Sequence, residues 1–148
     1  MPRPFAVIDV PSLAGWPEQV PFQGQRFSLL LVLDETDLRA EGSEGWSRFE
    51  DLVISQGIAY FSAWGPQCEV AHDLMDEILI ANEVIRKQPK PFFMTSWHED
   101  ESLEDALFFL RHCAICLEHQ DVDNAPGLVA VIDAPELAQQ ARRYLGCA

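Results

Sequence analysis

The sequence is poor in basic residues, and lysine is the scarcest of them. Lysine and arginine together number 10, against 24 aspartates and glutamates in 148 residues, which gives a net charge of −14. Proteins that bind nucleic acids do so largely through basic side chains that neutralise phosphates. The composition therefore predicts that nucleic acid is not a partner.

Long apolar runs are also missing. No stretch approaches the roughly 20 apolar residues that a membrane-spanning helix needs, and the start, MPRPFAVID, lacks a signal-peptide core. We therefore expect a cytoplasmic protein with no membrane partner. The four cysteines are then expected to be reduced thiols rather than a disulfide framework; they are Cys68, Cys113, Cys116 and Cys147.

Glycine-rich phosphate-binding motifs are absent as well. Neither G-x-G-x-x-G nor a P-loop occurs, so ordinary dinucleotide and nucleoside triphosphate sites have no support, and we expect no cofactor. The acidic segment Asp34-Glu35-Thr36 follows the first buried run, where a flavodoxin has a Thr/Ser/Gly-rich loop that holds the flavin phosphate. Negative charge at that point would repel a phosphate.

What the chain does contain is a regular alternation of apolar runs and helix signals. Four continuous apolar runs are typical of strands buried on both faces, and they are residues 27–33, 58–64, 92–97 and 128–132. A helix signal follows each of them. The pattern predicts a single α/β domain over residues 1–148, a three-layer sandwich with a mainly parallel four-stranded sheet, similar in outline to flavodoxin and Rossmann folds.

The first 25 residues form a proline-rich arm. Five prolines leave room for one short strand at residues 5–10, and because proline cannot donate to a sheet ladder, this fifth strand is expected at a sheet edge. We expect the arm to pack on the domain.

The first two predicted helices are bounded by capping residues, glycine and proline. Ser47 with Glu50 resembles a capping box and predicts a helix start there, with its end near Gly57. The second helix is expected from Pro66 towards Pro89 because apolar residues recur every three or four positions between them.

The last two predicted helices have similar signals. Ser102 is expected to cap a third helix that reaches Leu117. Asp133 is expected to open the fourth, which Gly146 ends.

Several chemically active side chains follow the predicted strands. In open parallel sheets, ligands bind beyond the carboxyl ends of the strands. Asp34, His98 and Asp133 come at such ends, with Trp64 and Trp97 as candidate walls. One hypothesis is therefore a small enzyme or ligand-binding domain in which His98 acts as acid or base. The alternative is that the carboxylates cap helices and the tryptophans cover the core.

One cysteine lies in a recognisable local pattern. The segment Tyr60-Phe-Ser-Ala-Trp-Gly-Pro-Gln-Cys68 is similar to the thioredoxin active-site stretch, but the first, attacking cysteine is missing. Cys68 would lie near a helix N-terminus, where the dipole favours a thiolate. A single-cysteine redox role is a minor alternative to an inert, partly buried thiol.

The third helix carries histidines, cysteines and an unusual apolar face. His112, Cys116 and His119 share one side, but a closed zinc site normally needs ligands from a second element, so no metal is predicted. Phe108 and Ile115 lie opposite the core stripe. They are expected to be covered either within the domain, by the proline-rich arm, or by a second subunit or another protein.

An acidic segment precedes this helix, with five carboxylates in seven positions: Glu99, Asp100, Glu101, Glu104 and Asp105. Such a segment is commonly a solvated helix start that compensates the dipole. It also suits docking of a basic partner, because clustered carboxylates speed association with cationic surfaces. The preferred hypothesis is a non-enzymatic protein-binding module of the immunity or adaptor type, with a basic protein partner or a homodimer.

Two motifs together resemble a known group of sequences. They are Trp64-Gly-Pro-x-Cys68-Glu and Thr95-x-Trp-His98-x-x-Glu101-Ser-Leu-x-x-Ala-Leu107. This combination resembles an uncharacterised family of small bacterial α/β proteins, over most of residues 26–133. The resemblance implies no activity.

Overall fold

A computed structural model describes residues 3–34, 38–81, 93–114 and 126–147. Within these ranges the chain forms five strands and four helices in nearly strict alternation. In chain order they are β1 (Phe5–Val10), β2 (Phe27–Val32), α1 (Leu38–Gln56), β3 (Ile58–Trp64), α2 (Cys68–Ile80), β4 (Met94–His98), α3 (Leu103–His112), β5 (Gly127–Ile132) and α4 (Pro135–Leu145).

The described strands form one parallel sheet in the order β1-β5-β2-β3-β4. The predicted α/β sandwich with a parallel sheet is confirmed, and the proline-flanked strand β1 lies at an edge as expected. The chain winds one way from β2 through β3 to β4, then crosses back to place β5 on the other side of β2. The winding therefore reverses between β2 and β5.

The two faces of the sheet bury separate apolar clusters, because successive side chains of a strand point to opposite faces. On β2, Leu29 and Leu31 pack towards α1 and α2, whereas Leu30 and Val32 pack towards α3 and α4. All six residues of β2 are buried, which explains why its sequence is continuously apolar rather than alternating.

The proline-rich arm packs against α1. Leu13 and Trp16 are fully buried in the same cluster as α1, and the Trp16 Nε1 donates to Gln56 Oε1 at 3.0 Å. Arg48 donates to the carbonyl oxygens of Ala14 and Trp16. Residues 11–25 of the arm thus lie on the sheet face opposite α3, whereas Arg3 donates to the carbonyl oxygens of Leu110 and Arg111 in α3. Phe108 stays 54 % exposed.

Two predicted helix starts are corrected by the structure. The helix α1 begins at Leu38, so Ser47 lies inside it rather than at its start. The Glu50 carboxylate does not return to the backbone but accepts from the Trp46 indole N–H in the interior. For α4 the capping position is Ala134, not Asp133, which adopts a left-handed backbone with φ of 50°.

The other helix ends agree with the sequence signals. The Ser102 side chain caps α3 by accepting from the Asp105 N–H at 3.1 Å. Gly57 follows the last residue of α1, and Gly146 ends α4 in the left-handed conformation. The part of α2 predicted beyond residue 81 and the part of α3 predicted beyond residue 114 lie outside the described residues.

Gly65 fixes the turn after β3. Its φ of 122° is a conformation that side chains rarely adopt, and a Cβ there would overlap the carbonyl oxygen of Leu33. The absence of a side chain at residue 65 lets the ends of β2 and β3 lie close together, where the Leu33 N–H donates to the Trp64 carbonyl oxygen at 2.9 Å. Among the described helices, none is both long enough and apolar enough to cross a bilayer.

Candidate functional site

The sheet order spreads the predicted site residues along the carboxyl edge. His98 ends β4, whereas Asp34 follows β2 and Asp133 follows β5. Neighbouring strands are about 4.8 Å apart, so His98 is about 10 Å from the end of β2 and about 14 Å from the end of β5. The structure therefore does not bring these three side chains into one cluster.

Asp34 and Asp133 lie where the winding reverses. The β2–β5 register pairs Val32 with Val131, two residues before each aspartate. Asp34 is half-buried, whereas Asp133 is exposed and its backbone N–H donates to the Val10 carbonyl oxygen at 2.9 Å. The predicted rim residues 35 and 36 lie outside the described residues.

A shallow cavity of about 330 Å³ opens beside Asp133. Its polar lining residues are Asp9, Asp133, Gln139 and Arg142. The Arg142 guanidinium donates to Asp9 Oδ2 at 2.8 Å and to the Val7 carbonyl oxygen at 3.3 Å. Since these groups of the chain itself engage the guanidinium, the arrangement stabilises the contact between β1 and α4.

His98 lies at the opposite end of the carboxyl edge and is tightly held. It is only 6 % exposed, and its ring packs edge-on against Phe109 of α3, with ring centroids 4.6 Å apart. Its Nδ1 is 2.6 Å from Glu101 Oε2 and its Nε2 is 3.4 Å from Ser96 Oγ. The imidazole is therefore oriented by contacts on three sides.

A second serine continues this chain of polar groups into the interior. Ser62 of β3 is fully buried, and its Oγ is 3.0 Å from Ser96 Oγ. The β3–β4 register pairs Ser62 with Ser96 and Trp64 with His98, so the four side chains share the sheet face that α3 covers. We call Ser62, Ser96, His98 and Glu101 the serine–histidine chain.

The two predicted tryptophan walls lie on opposite faces of the sheet. Trp64 is on the α3 face, where its Nε1 donates to the carbonyl oxygen of Glu101 at 2.8 Å. Trp97 is on the α2 face, 42 % exposed, with its ring centroid 4.3 Å from that of His72. Only Trp64 therefore borders the serine–histidine chain.

The α2 face carries its own polar cluster. The Thr95 hydroxyl donates to Asp76 Oδ1 at 2.7 Å and lies 3.0 Å from His72 Nε2. The other ring nitrogen of His72, Nδ1, is 3.1 Å from Asp73 Oδ1. A histidine and carboxylates thus lie on both sides of β4.

The acidic turn, residues 99–105, connects β4 to α3. All five of its carboxylate residues are exposed: Glu99, Asp100, Glu101, Glu104 and Asp105. Asp100 adopts a left-handed backbone with φ of 58°. Further along α3, Phe108 is 54 % exposed and packs on His112, with ring centroids 4.5 Å apart.

Three residues of the proposed apolar face and metal set follow the described part of α3. Ile115 of the proposed apolar face, and Cys116 and His119 of the discarded metal set, lie outside the described residues. His112 is exposed. Within the described part of the chain, no group of three or more His, Cys, Asp or Glu side chains could hold a metal ion.

Cys68 is the first residue of α2 and is 1 % exposed. Desolvation raises the pKa of its thiol, although backbone N–H groups, that of His98 among them, act in the opposite direction. This environment favours the neutral thiol over the thiolate that a redox role would use.

Sequence reasoning missed Ser62, Ser96 and His72. A signal for Ser96 was present, because residues two apart on a strand share a face, and His98 lies two positions after it. Ser62 and His72 had no such local signal, since only the β3–β4 register and the packing of α2 bring them to β4.

Comparison with protein families matches residues 7–145 to a family described as a Domain of unknown function (DUF7684). Comparisons with curated proteins and with solved structures found no match. The match spans most of the 148-residue chain and includes the serine–histidine chain and the acidic turn. The protein belongs to this family of domains of unknown function.

Proposed function

We propose that the protein is an acidic protein-binding module that docks a basic partner through the acidic turn. The observation that carries the proposal is the preorganisation of this turn. Glu101 is held at two points, since its carbonyl oxygen accepts from Trp64 Nε1 and its carboxylate contacts His98 Nδ1. A turn held in this way loses little conformational entropy on binding.

Local backbone geometry supports the same interpretation. Asp100 adopts the left-handed conformation, which aspartate tolerates better than most residues. The next bend is closed by Ser102, whose side chain accepts from the Asp105 N–H. The carboxylates of the turn therefore project from an ordered backbone.

Part of the acidic character has a purely structural use. Glu104 and Asp105 lie in the first turn of α3, where negative charge compensates the helix dipole. Glu99 and Asp100 precede the helix, so dipole compensation within the first turn does not account for them. These two residues are the stronger support for recognition of a cationic surface.

One exposed aromatic side chain precedes the acidic turn in the chain and another follows it. Phe108 is one helical turn after Glu104, on the solvent side of α3, and Trp97 precedes the turn on β4. Aromatic residues are enriched at protein interfaces, where they supply contact area that carboxylates lack. We define the acidic docking surface as the acidic turn together with Trp97 and Phe108.

The overall charge favours fast, salt-sensitive association with a basic protein. A net charge of −14 attracts cationic surfaces at a distance, and that attraction is screened as ionic strength rises. The partner class that fits is a basic protein with an apolar contact at the centre of its interface.

The test is a quantitative pull-down from the native host, at low and at high salt, followed by titration with each purified partner. The docking variant neutralises four carboxylates of the surface by Glu99→Gln, Asp100→Asn, Glu104→Gln and Asp105→Asn. Glu101 is kept because it holds His98. A matched control variant neutralises four exposed carboxylates elsewhere by Glu18→Gln, Glu44→Gln, Asp51→Asn and Glu136→Gln.

We expect a basic partner that the wild type and the control variant bind, and that the docking variant loses by about tenfold or more in affinity. Equal binding by the two variants would contradict the proposal. Capture of a second copy of this chain instead would assign the surface to a homodimer.

A further inference from the structure

The hydrogen-bond donors and acceptors of the serine–histidine chain can be assigned by starting from the Glu101 carboxylate. A carboxylate only accepts hydrogen bonds, so the contact of 2.6 Å places a proton on His98 Nδ1, which donates to Glu101. In the neutral imidazole, Nε2 is then the acceptor and faces Ser96 Oγ at 3.4 Å.

The hydroxyls of Ser96 and Ser62 continue the same series of hydrogen bonds. If Ser96 donates to His98 Nε2, its oxygen is free to accept from the Ser62 hydroxyl at 3.0 Å. Each group then donates towards Glu101, and hydrogen bonds aligned in this way strengthen one another. Ser96 Oγ is consequently the hydroxyl whose proton is directed at a basic nitrogen.

The position of Ser96 suits reaction with a molecule from solvent. It is half-buried on β4, which pairs only with β3 among the described residues, whereas Ser62 behind it is fully buried.

We propose that Ser96 is a nucleophile for acyl transfer from carboxylic esters, with His98 as its general base and Glu101 as the positioning residue. The arrangement is that of a hydroxyl, an imidazole and a carboxylate joined in one line. The carboxylates of the acidic turn repel anionic substrates, so the substrate class is uncharged or cationic esters.

The reaction balances without a cofactor. Ser96 Oγ forms a bond to the ester carbonyl carbon while its proton passes to His98 Nε2. The bond from that carbon to the leaving alcohol breaks, and the alcohol oxygen takes the proton from His98. Water then attacks the acyl-serine, transfers a proton to His98 Nε2, and releases the carboxylic acid as that proton returns to Ser96.

The experiment uses the intact chain and a neutral fluorophosphonate, with p-nitrophenyl acetate as the ester substrate. The probe forms an oxygen–phosphorus bond to the serine, expels fluoride and leaves the hydroxyl proton on the histidine. Mass spectrometry of the protein and of its peptides should find one adduct, on Ser96. We expect Ser96→Ala to abolish both the adduct and the ester hydrolysis.

Variants separate catalysis from folding. His98→Gln should slow labelling about a hundredfold or more, the range of general-base contributions. Glu101→Gln keeps an oxygen near Nδ1 and should lower the labelling rate and alter its pH profile, which a merely structural role would not do. Thr95→Val is the matched control on the other face of β4 and should be labelled at the wild-type rate.

An adduct on another residue, or no adduct on protein shown to be folded by circular dichroism, would overturn the proposal. So would equal labelling of the wild type and folded His98→Gln. The result is independent of the acidic docking surface, because the probe is uncharged and the docking variant retains Ser96, His98 and Glu101. That variant should be labelled on Ser96 whether or not it binds a partner.

Discussion

Both faces of β4 carry a hydroxyl, a histidine and a carboxylate, but the hydrogen bonds among these groups differ between the two faces. On the α3 face, Glu101 contacts the histidine at Nδ1, and the hydroxyl of Ser96 lies at the opposite nitrogen. On the α2 face, the hydroxyl of Thr95 donates to the carboxylate of Asp76. On the α3 face the hydroxyl proton of Ser96 is therefore directed at an imidazole nitrogen. On the α2 face the hydroxyl proton of Thr95 is donated to a carboxylate.

The types of side chain present therefore do not by themselves identify a reactive site. Both sets contain a hydroxyl, a histidine and a carboxylate within hydrogen-bonding distance. A nucleophile requires that its proton can pass to a base during attack. The Thr95 hydroxyl, bound to Asp76 at 2.7 Å, is part of a closed network that fastens α2 to the sheet edge.

Removal of His98 should destabilise the protein most, and removal of His72 on the other face should cost less. His98 is 6 % exposed and packs on Phe109, so His98→Ala leaves a cavity and unpaired polar groups and should cost about 3 kcal/mol of unfolding free energy. His72 has a side chain 13 % exposed and an exposed partner, Asp73, so His72→Ala should cost about 1 kcal/mol. Urea denaturation measures both, and equal losses would mean that the two faces are energetically alike.

The buried carboxyl group of Glu50 in α1 extends the comparison because its hydrogen-bond partner is a neutral indole. Burial raises the pKa of Glu50 from 4.5 to about 7, although the Trp46 N–H lowers it. Well below pH 4.5 the Glu50 carboxyl is protonated in both the folded and the unfolded chain, so its ionisation does not change the free energy of unfolding. Stability falls as pH rises from 4.5 to about 7, because the unfolded chain releases its proton first, and the loss is complete above that range.

Glu50→Gln should therefore raise the free energy of unfolding by about 2 kcal/mol at pH 8 and leave it nearly unchanged at pH 4. The glutamine carbonyl oxygen can still accept from Trp46. Denaturant unfolding at several pH values checks this expectation. Glu44→Gln, an exposed position on the same helix, is the control and should show no such dependence. A gain that is equal at all pH values would refute this interpretation of Glu50.

A smaller difference is expected between the two hydroxyls of β4. Thr95→Val removes a bond to a carboxylate and a contact with His72, and should cost about 1.5 kcal/mol. Ser96→Ala removes a longer bond to His98 and one to Ser62, and should cost about 1 kcal/mol. Thermal unfolding of the two variants tests the order, and the reverse order would contradict the assignment of the closed network to the α2 face.

The smallest effect on stability is expected at Trp97. This side chain is 42 % exposed and contacts His72, so Trp97→Ala should cost less than about 1 kcal/mol. If Trp97 belongs to the acidic docking surface, the variant should nevertheless weaken binding of the partner found by pull-down, measured by titration calorimetry. Unchanged affinity would remove Trp97 from that surface.

The helix signals show which local patterns are reliable. Ser102 caps α3 as expected because its hydroxyl has an N–H three residues on and no competing partner among the described residues. The helix start predicted from Ser47 and Glu50 was wrong. Glu50 accepts from the Trp46 indole N–H in the interior, and both residues of the pattern lie within α1 rather than at its start. A capping pattern therefore identifies a helix start only where it is known whether the residue three positions after the serine is buried.

The candidate site was predictable only in part. His98 was identified correctly as a polar residue at the end of a strand, since strand ends follow from the apolar runs. Its partners Ser96 and Glu101 are only two and three positions away, whereas Ser62 joins Ser96 through the β3–β4 register and the strand order keeps Asp133 away from His98. The relations that involve Ser62 and Asp133 are non-local, and the spacing of residues along the chain does not encode them.

The order of amino acids is enough to predict the alternation of strands and helices, the edge position of the proline-flanked β1 and the acidity of the turn before α3. These features depend on local patterns of apolar, proline and charged residues. The packing of the domain, in contrast, determines that Trp64 and Trp97 face opposite sides of the sheet and that Ser62 lies beside Ser96. The reason is that side-chain parity and strand order are set by how the helices cover both faces of the sheet, which is a property of the whole domain.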